Sequence, residues 1–183
     1  MTILHIDSSI TGEASASRAI SARILDRLVA HTPGAQVVRR DLVAEPLPHL
    51  TLASMNDQDV LDEFLDASTV VIGAPMYNFT LSTQLKAWID RILIANKTFR
   101  YTAQGPEGLA GGRRVIIALA RGGIYDAGSP AAALEHLESY LRGVFNFIGI
   151  DPEFVAADGL NISPEQRDIS IRQALGETVR LAA

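Results

Sequence analysis

The 183-residue chain has no cysteine, which removes disulfides, thiolate nucleophiles and zinc–thiolate sites together and is compatible with a reducing cytosol. It has no apolar stretch approaching the ~20 residues of a membrane span. Residues 2–7 are too short, and too soon acidic, for a signal peptide. With a formal net charge of -5 and no Lys/Arg cluster, neither nucleic acid nor an anionic membrane is expected as a main partner. The lysine-bearing phosphate loop G-x-x-x-x-G-K-[ST] is missing, which argues against a nucleoside triphosphate held with magnesium. No G-x-G-x-x-G with a following acidic residue occurs either, so a permanently bound dinucleotide is not indicated. His5, His31, His49 and His136 are scattered without metal-ligand spacing, so no metal site is expected. What these absences leave is a soluble, cytoplasmic protein of one domain, 1–183, with 48% hydrophobic and 20% charged residues.

Within it, strand-like and helix-like segments alternate. The strand candidates are 3–7, 36–41, 69–74, 114–120 and 153–157. Three of them are nearly continuous apolar runs, as in parallel strands covered on both faces. Gln36-Val37-Val38-Arg39-Arg40-Asp41 is more polar and belongs at a sheet edge. The helix candidates begin with Ser17 to about His31, which Thr32-Pro33-Gly34 stops. Val60, Leu61, Phe64 and Leu65 mark a short second helix, with Asp57-Gln58-Asp59 and Asp62-Glu63 on its exposed face. Leu81, Leu85, Trp88, Ile89, Ile92 and Leu93 form the third stripe, and Leu134, Leu137, Tyr140, Leu141 and Val144 the fourth. Ser163-Pro164-Glu165 opens the fifth, with serine as N-cap and proline at the first helical position. This alternation predicts an α/β flavodoxin-like three-layer sandwich around a five-stranded parallel sheet in order 2-1-3-4-5. Residues 97–112 interrupt it with a long connection that lacks a helix and carries Phe99 and Tyr101, aromatics costly to leave solvated.

Three loops follow strand candidates and could share one sheet edge. Ser8-Ser9-Ile10-Thr11-Gly12-Glu13-Ala14-Ser15-Ala16-Ser17 leads into a helix, whose first-turn N–H groups and partial positive charge suit a phosphate. On a plainer reading, Ser15 or Ser17 only caps that helix. Met76-Tyr77-Asn78-Phe79 either closes the core or forms a platform for a flat heteroaromatic ring. Ala120-Arg121-Gly122-Gly123 is either a tight turn or a place where backbone approaches a ligand closely. Together, a phosphate loop after strand one, a platform after strand three and a glycine turn after strand four describe an FMN site at the sheet's switch point.

Pro75-Met76-Tyr77-Asn78-Phe79, Thr98-Phe99-Arg100-Tyr101-Thr102, Gly105-Pro106-Glu107-Gly108-Leu109, Arg121-Gly122-Gly123 and Phe147-Ile148-Gly149-Ile150 follow in this order over nearly the whole chain. In these blocks the sequence resembles the FMN-dependent NADH-azoreductases, also described as flavodoxin-like NADH:quinone oxidoreductases. The resemblance implies FMN phosphate on Ser9, Ser15, Ala16 and Ser17, with its ring on Met76, Tyr77, Asn78 and Phe79. Ala120, Arg121, Gly122 and Gly123 would complete the site, while Tyr101 and Phe147 border the substrate pocket. It further implies a homodimer that takes electrons from NADH or NADPH and reduces quinones or azo compounds by ping-pong transfer through the flavin, with no side chain as essential acid or base. An FMN reductase or a flavodoxin-type electron carrier are the alternatives. The chain departs from the family at Ala16 and Ala120, where polar residues are usual. It is also short between residues 48 and 60.

Overall fold

A computed structural model of the chain describes residues 1–52, 54 and 58–182. Its strands are β1 (Thr2–Asp7), β2 (Gln36–Asp41), β3 (Thr69–Pro75), β4 (Phe99–Thr102), β5 (Gly105–Gly108), β6 (Arg114–Ala120) and β7 (Glu153–Ala157). Its helices are α1 (Ala16–His31), α2 (Asp59–Asp66), α3 (Thr83–Ile92), α4 (Glu138–Phe147) and α5 (Pro164–Glu177). Five strands form a parallel sheet in the order β2-β1-β3-β6-β7, which is the flavodoxin-like order expected from the alternation. The polar β2 lies at one edge, where its side chains meet solvent.

The sheet's two faces follow from the period of two along a strand. Leu4, Ile6, Val70, Ile72, Val115, Ile117 and Leu119 point to one side, where Phe64 of α2, Trp88 and Ile89 of α3 and Phe145 of α4 cover them. Ile3, Val71, Ile116, Ala118 and Val155 point to the other, against Ile20, Ile24 and Leu25 of α1 and Ala174 of α5. Each Val, Leu, Ile or Phe among them contributes about 1.5–3 kcal/mol on full burial. The two apolar faces hold the three layers in place.

Helix ends follow the capping residues. Ser15, Ser82 and Ser163 accept from the N–H groups of Arg18, Leu85 and Gln166. Pro164 takes the first position of α5 as expected. Two helices begin later than their apolar stripes suggest. Leu81 precedes the cap of α3, although it stays buried. Leu134 belongs to a 3₁₀ turn, Ala132–Leu134, and is 42% exposed. The Glu135 carboxylate accepts from the N–H groups of Leu137, Glu138 and Ser139, and this sets the start of α4. Asp59 and Asp62 do sit on the exposed side of α2, whereas Glu63 pairs with Arg40; Asp57 lies outside the described residues.

The long connection after α3 has structure of its own. β4 and β5 form an antiparallel hairpin in which Phe99 faces Gly108 and Tyr101 faces Pro106. A Cβ on Gly108 would come within 2.2 Å of the Gly149 backbone nitrogen, so only glycine allows the hairpin to dock on the turn after α4. The contact is fastened by Ala110 N–H to the Ile148 carbonyl.

Candidate functional site

The carboxyl ends of β1, β3, β6 and β7 open onto one cleft of about 500 Å³. Ser9, Thr11, Ser15 and Ala16 line one end; Pro75, Met76 and Tyr77 form its floor; Ala120, Gly122, Leu160, Asn161 and Arg167 close the rest. Tyr77 also separates it from a neighbouring cavity of about 520 Å³ at the start of α3, lined by Ile10, Asn78 and Gln84 among others. The three loops singled out from the sequence therefore meet, as parallel strands in this order require.

The first loop is cross-bonded by its own side chains and by Arg18. Ser15 caps α1 and its hydroxyl also bonds the Ser17 hydroxyl at 3.1 Å. Arg18 donates to the Ser9 carbonyl through Nε and Nη2, and to both oxygens of Asp41 at 2.8 Å. These bonds to Arg18 hold the Asp41 carboxyl down at about 2. Beneath the loop lies a polar chain that is buried at His5 and Ser21 and reaches solvent at Arg39. Arg39 donates to His5 Nδ1, which leaves His5 Nε2 to donate to Ser21 Oγ, and Ser21 donates to Asp7 Oδ1. Burial lowers the pKa of His5, in keeping with a neutral ring that accepts at one nitrogen and donates at the other. Ser17 is wholly buried and does not line the cleft; its hydroxyl is turned to Ser15.

The platform is a strained turn. Met76 N–H continues the ladder to the Ala120 carbonyl, and Tyr77 and Thr80 exchange backbone bonds. Between them Asn78 has φ 47° and Phe79 φ 73°, the pair of positive values that defines a type I′ turn. Asn tolerates this region; Phe does so at a cost of about 1–3 kcal/mol. His136 holds the strained residue by donating its N–H to the Phe79 carbonyl and accepting from the Thr80 hydroxyl. The Tyr77 hydroxyl accepts from Ile10 N–H at 3.1 Å and shares a bond with Ser9 Oγ at 3.2 Å, joining platform to serine loop. Met76 and Tyr77 line the cleft; Asn78 faces the neighbouring cavity; Phe79 is 43% exposed outside both.

In the third loop, backbone and side chain part company. Gly122 lines the cleft, and a Cβ there would lie 2.5 Å from Asn161 Nδ2. The carbonyls of Gly122 and Gly123 accept from Asn161 and Gly159, while among the described residues their N–H groups meet no acceptor. The Arg121 side chain instead runs inward and is buried. It makes a forked bond to Asp158 and reaches Glu135 and Glu138 at 3.5 and 3.3 Å. Burial alone would lower its pKa; the Asp158 bonds and the three negative charges outweigh that and raise it. Arg121 thereby ties the loop after β6 to the loop after β7 and to the start of α4.

Tyr101 is 76% exposed at the hairpin, and Phe147 packs on Phe99 with ring centres 4.7 Å apart; neither lines the cleft. Trp88 is core. Among the described residues no group of His, Asp or Glu is placed to hold a metal ion, and no helix is long and apolar enough to cross a membrane. Sequence reasoning did not single out Leu160, Asn161 or Arg167. Their signal was Asp158-Gly159 directly after an apolar strand, a turn at the same sheet edge.

The cleft fits FMN on its own chemistry. Hydroxyls and a helix start stand at one end, an apolar floor in the middle, and a side-chain-free backbone with unengaged N–H groups opposite it. The sequence profile of the Flavodoxin_2 family, described as having a flavodoxin-like fold, matches residues 1–181. The chain is 53% identical over 201 residues to FMN-dependent NADH:quinone oxidoreductase 2 of Bradyrhizobium diazoefficiens, covering 100% of both. It is 52% identical over 202 residues to FMN-dependent NADH:quinone oxidoreductase of Methylorubrum extorquens, again covering 100% of both. Among solved structures, azoreductase from Bacillus anthracis superposes with a TM-score of 0.91 at 28% identity, over 100% of this chain and 98% of that one. An FMN-dependent NADH-azoreductase from Bacillus anthracis in complex with FMN superposes with a TM-score of 0.85 at 26% identity, over 100% and 99%.

Proposed function

The chain belongs to this family of flavodoxin-like fold, and from that premise we propose that it is an FMN-dependent oxidoreductase that oxidises NADH or NADPH and reduces quinones or aromatic azo compounds. The observation that carries the reading is the meeting of the serine loop, the Met76–Tyr77 floor and the Gly122 backbone around one cleft of the right chemistry. Relatives about half identical over their full length, named FMN-dependent NADH:quinone oxidoreductases, support it.

When bound, FMN supplies the two-electron chemistry; the protein binds and orients. The hydroxyls of Ser9 and Ser15 and the first-turn N–H groups at Ala16 and Ser17 hold the phosphate end. Met76 and Tyr77 would lie against the ring, while Asn78 and Phe79, which sit outside the cleft, would act by shaping the turn that carries them. The N–H groups of Gly122 and Gly123, which meet no acceptor among the described residues, would be the donors available to negative charge on the ring. Ala120 and Arg121 contribute through main chain, while the Arg121 side chain stiffens the turn. Ala16 and Ala120 offer no side-chain donor, so each leaves one contact of about 0.5–1.5 kcal/mol to backbone alone. In this reading no side chain acts as an essential acid or base.

Exposed Tyr101 on the hairpin, with Phe79 exposed at the platform, supports a homodimer in which a second copy covers these aromatics and Tyr101 and Phe147 border the acceptor's pocket. The absence of cysteine and the acidic charge suit a cytoplasmic location and a small-molecule acceptor. The test is direct: record the visible spectrum, titrate FMN, and follow NADH and NADPH oxidation with a benzoquinone and an azo dye. A yellow protein that oxidises nicotinamide with at least one acceptor is expected. A colourless one that cannot be reconstituted with FMN sinks the reading.

A further inference from the structure

The serine loop offers hydroxyls and amides but no cation of its own. A phosphate monoester carries about -1.5 to -2 charge at neutral pH, whereas a helix start is equivalent to only about +0.5. Roughly one positive charge is missing. Two of the arginines around the cleft cannot supply it. Arg18 is committed to Asp41, to the Ser9 carbonyl and, at 3.6 Å, to Asp7. Arg121 is committed to Asp158, Glu135 and Glu138.

Arg167 differs. It stands in the first turns of α5, lines the cleft together with Ser15 and Ala16, and is half-buried. Among the described residues its side chain makes one hydrogen bond, from Nη2 to the Ala14 carbonyl at 2.6 Å, and no carboxylate among them lies within ion-pair distance. That single bond places the guanidinium on the serine loop and leaves Nε and Nη1 uncommitted. A planar guanidinium with spare donors is suited to a phosphate, which it can engage through two parallel bonds.

We propose that Arg167 is a phosphate-binding residue of the cleft, supplying from α5 the positive charge that the serine loop lacks and making the site selective for a phosphorylated flavin over its dephosphorylated form. The inference rests on the FMN reading above and adds a residue and a selectivity to it. A competing role, a strut that merely ties α5 to Ala14, would affect both flavins alike.

The experiment measures dissociation constants of FMN and riboflavin for the apoprotein, the Arg167→Gln variant and the Arg167→Lys variant, at low and high salt. The expected result is that Arg167→Gln weakens FMN on the order of tenfold to a hundredfold, the range of one charge-assisted bond, with riboflavin unchanged. The lysine variant keeps part of the preference, and salt weakens FMN binding more in the parent than in the glutamine variant. Melting temperature checks that the variants fold. Unchanged FMN affinity in Arg167→Gln, or equal losses for both flavins, overturns the proposal. A parent that binds both flavins tightly and equally also overturns it while leaving the flavin reading intact; a parent that binds neither removes both.

Discussion

Arg121 and Arg167 stand on two sides of one cleft, and their surroundings are opposite. The first is buried among three carboxylates from two loops and a helix start. The second has a backbone carbonyl and no carboxylate within reach among the described residues. A guanidinium whose donors are filled from within the chain has little left for a ligand and serves as a fastening. One whose donors are free keeps its charge for whatever enters. The same residue type thus contributes to the shape of the site in one place and to its field in the other. Net charge of -5 and arginine count alone could not distinguish the two roles.

The largest expected effect comes from breaking the fastened side. Arg121→Met removes the countercharge of Asp158, Glu135 and Glu138 and should cost about 3–5 kcal/mol at neutral pH, read by urea unfolding. Arg167→Gln, away from any carboxylate, should stay within about 0.5 kcal/mol. Equal losses in the two variants would erase the contrast. The Met variant should recover part of its deficit as pH falls toward the carboxylate range, because protonation then relieves the uncompensated charges.

A smaller effect is expected at Tyr77. Tyr77→Phe removes the oxygen that accepts from Ile10 and meets Ser9, and should destabilise by about 0.5–1.5 kcal/mol. FMN affinity in fluorescence titration should fall as well, since the serine loop loses its tie to the platform. An unaltered affinity would mean that Arg18 alone holds the loop.

The smallest concerns Arg18, a third arginine that lies between the two cases. Its bonds hold the Asp41 carboxyl at about 2 against an ordinary 3.8. Because the folded value is depressed, the stability this pair contributes is present above about 3.8 and lost as pH falls through about 2. Asp41 is well exposed, so solvent screening keeps the contribution small. Asp41→Asn should flatten the acid limb of a stability–pH profile in that window and leave the profile near neutrality almost unchanged. A steepened acid limb would contradict the assignment.

Much of this architecture was legible in the chain. The apolar runs of β1, β3 and β6 and the stripes of α1 and α3 carry their period in the residues themselves. Ser163-Pro164 announced α5 as a local signal does. The serine loop, Met76 and Tyr77 could be placed on the cleft because each follows a strand end and parallel strands put those ends together. The β4–β5 hairpin was not legible. It is made of Phe-Arg-Tyr-Thr and Gly-Pro-Glu-Gly, and what seats it is the distant contact between Gly108 and Gly149. Nor was the start of α4, since an apolar Leu134 continues the stripe that Glu135 cuts short. The positive φ of Phe79 was equally hidden, because phenylalanine does not advertise that conformation.

By itself the sequence determined the layers and the loops at the strand ends, because hydrophobic period and capping act between residues close along the chain; the strand order followed only from the way such alternating chains fold. Tertiary structure alone decided which arginine is spent and which is free. Arg121 finds Asp158 and Glu135 only once β6 lies beside β7 and α4 starts above them. Arg167 reaches Ala14, 153 positions away, only once α5 packs beside α1. Charge acts through space, and the fold sets which charges meet.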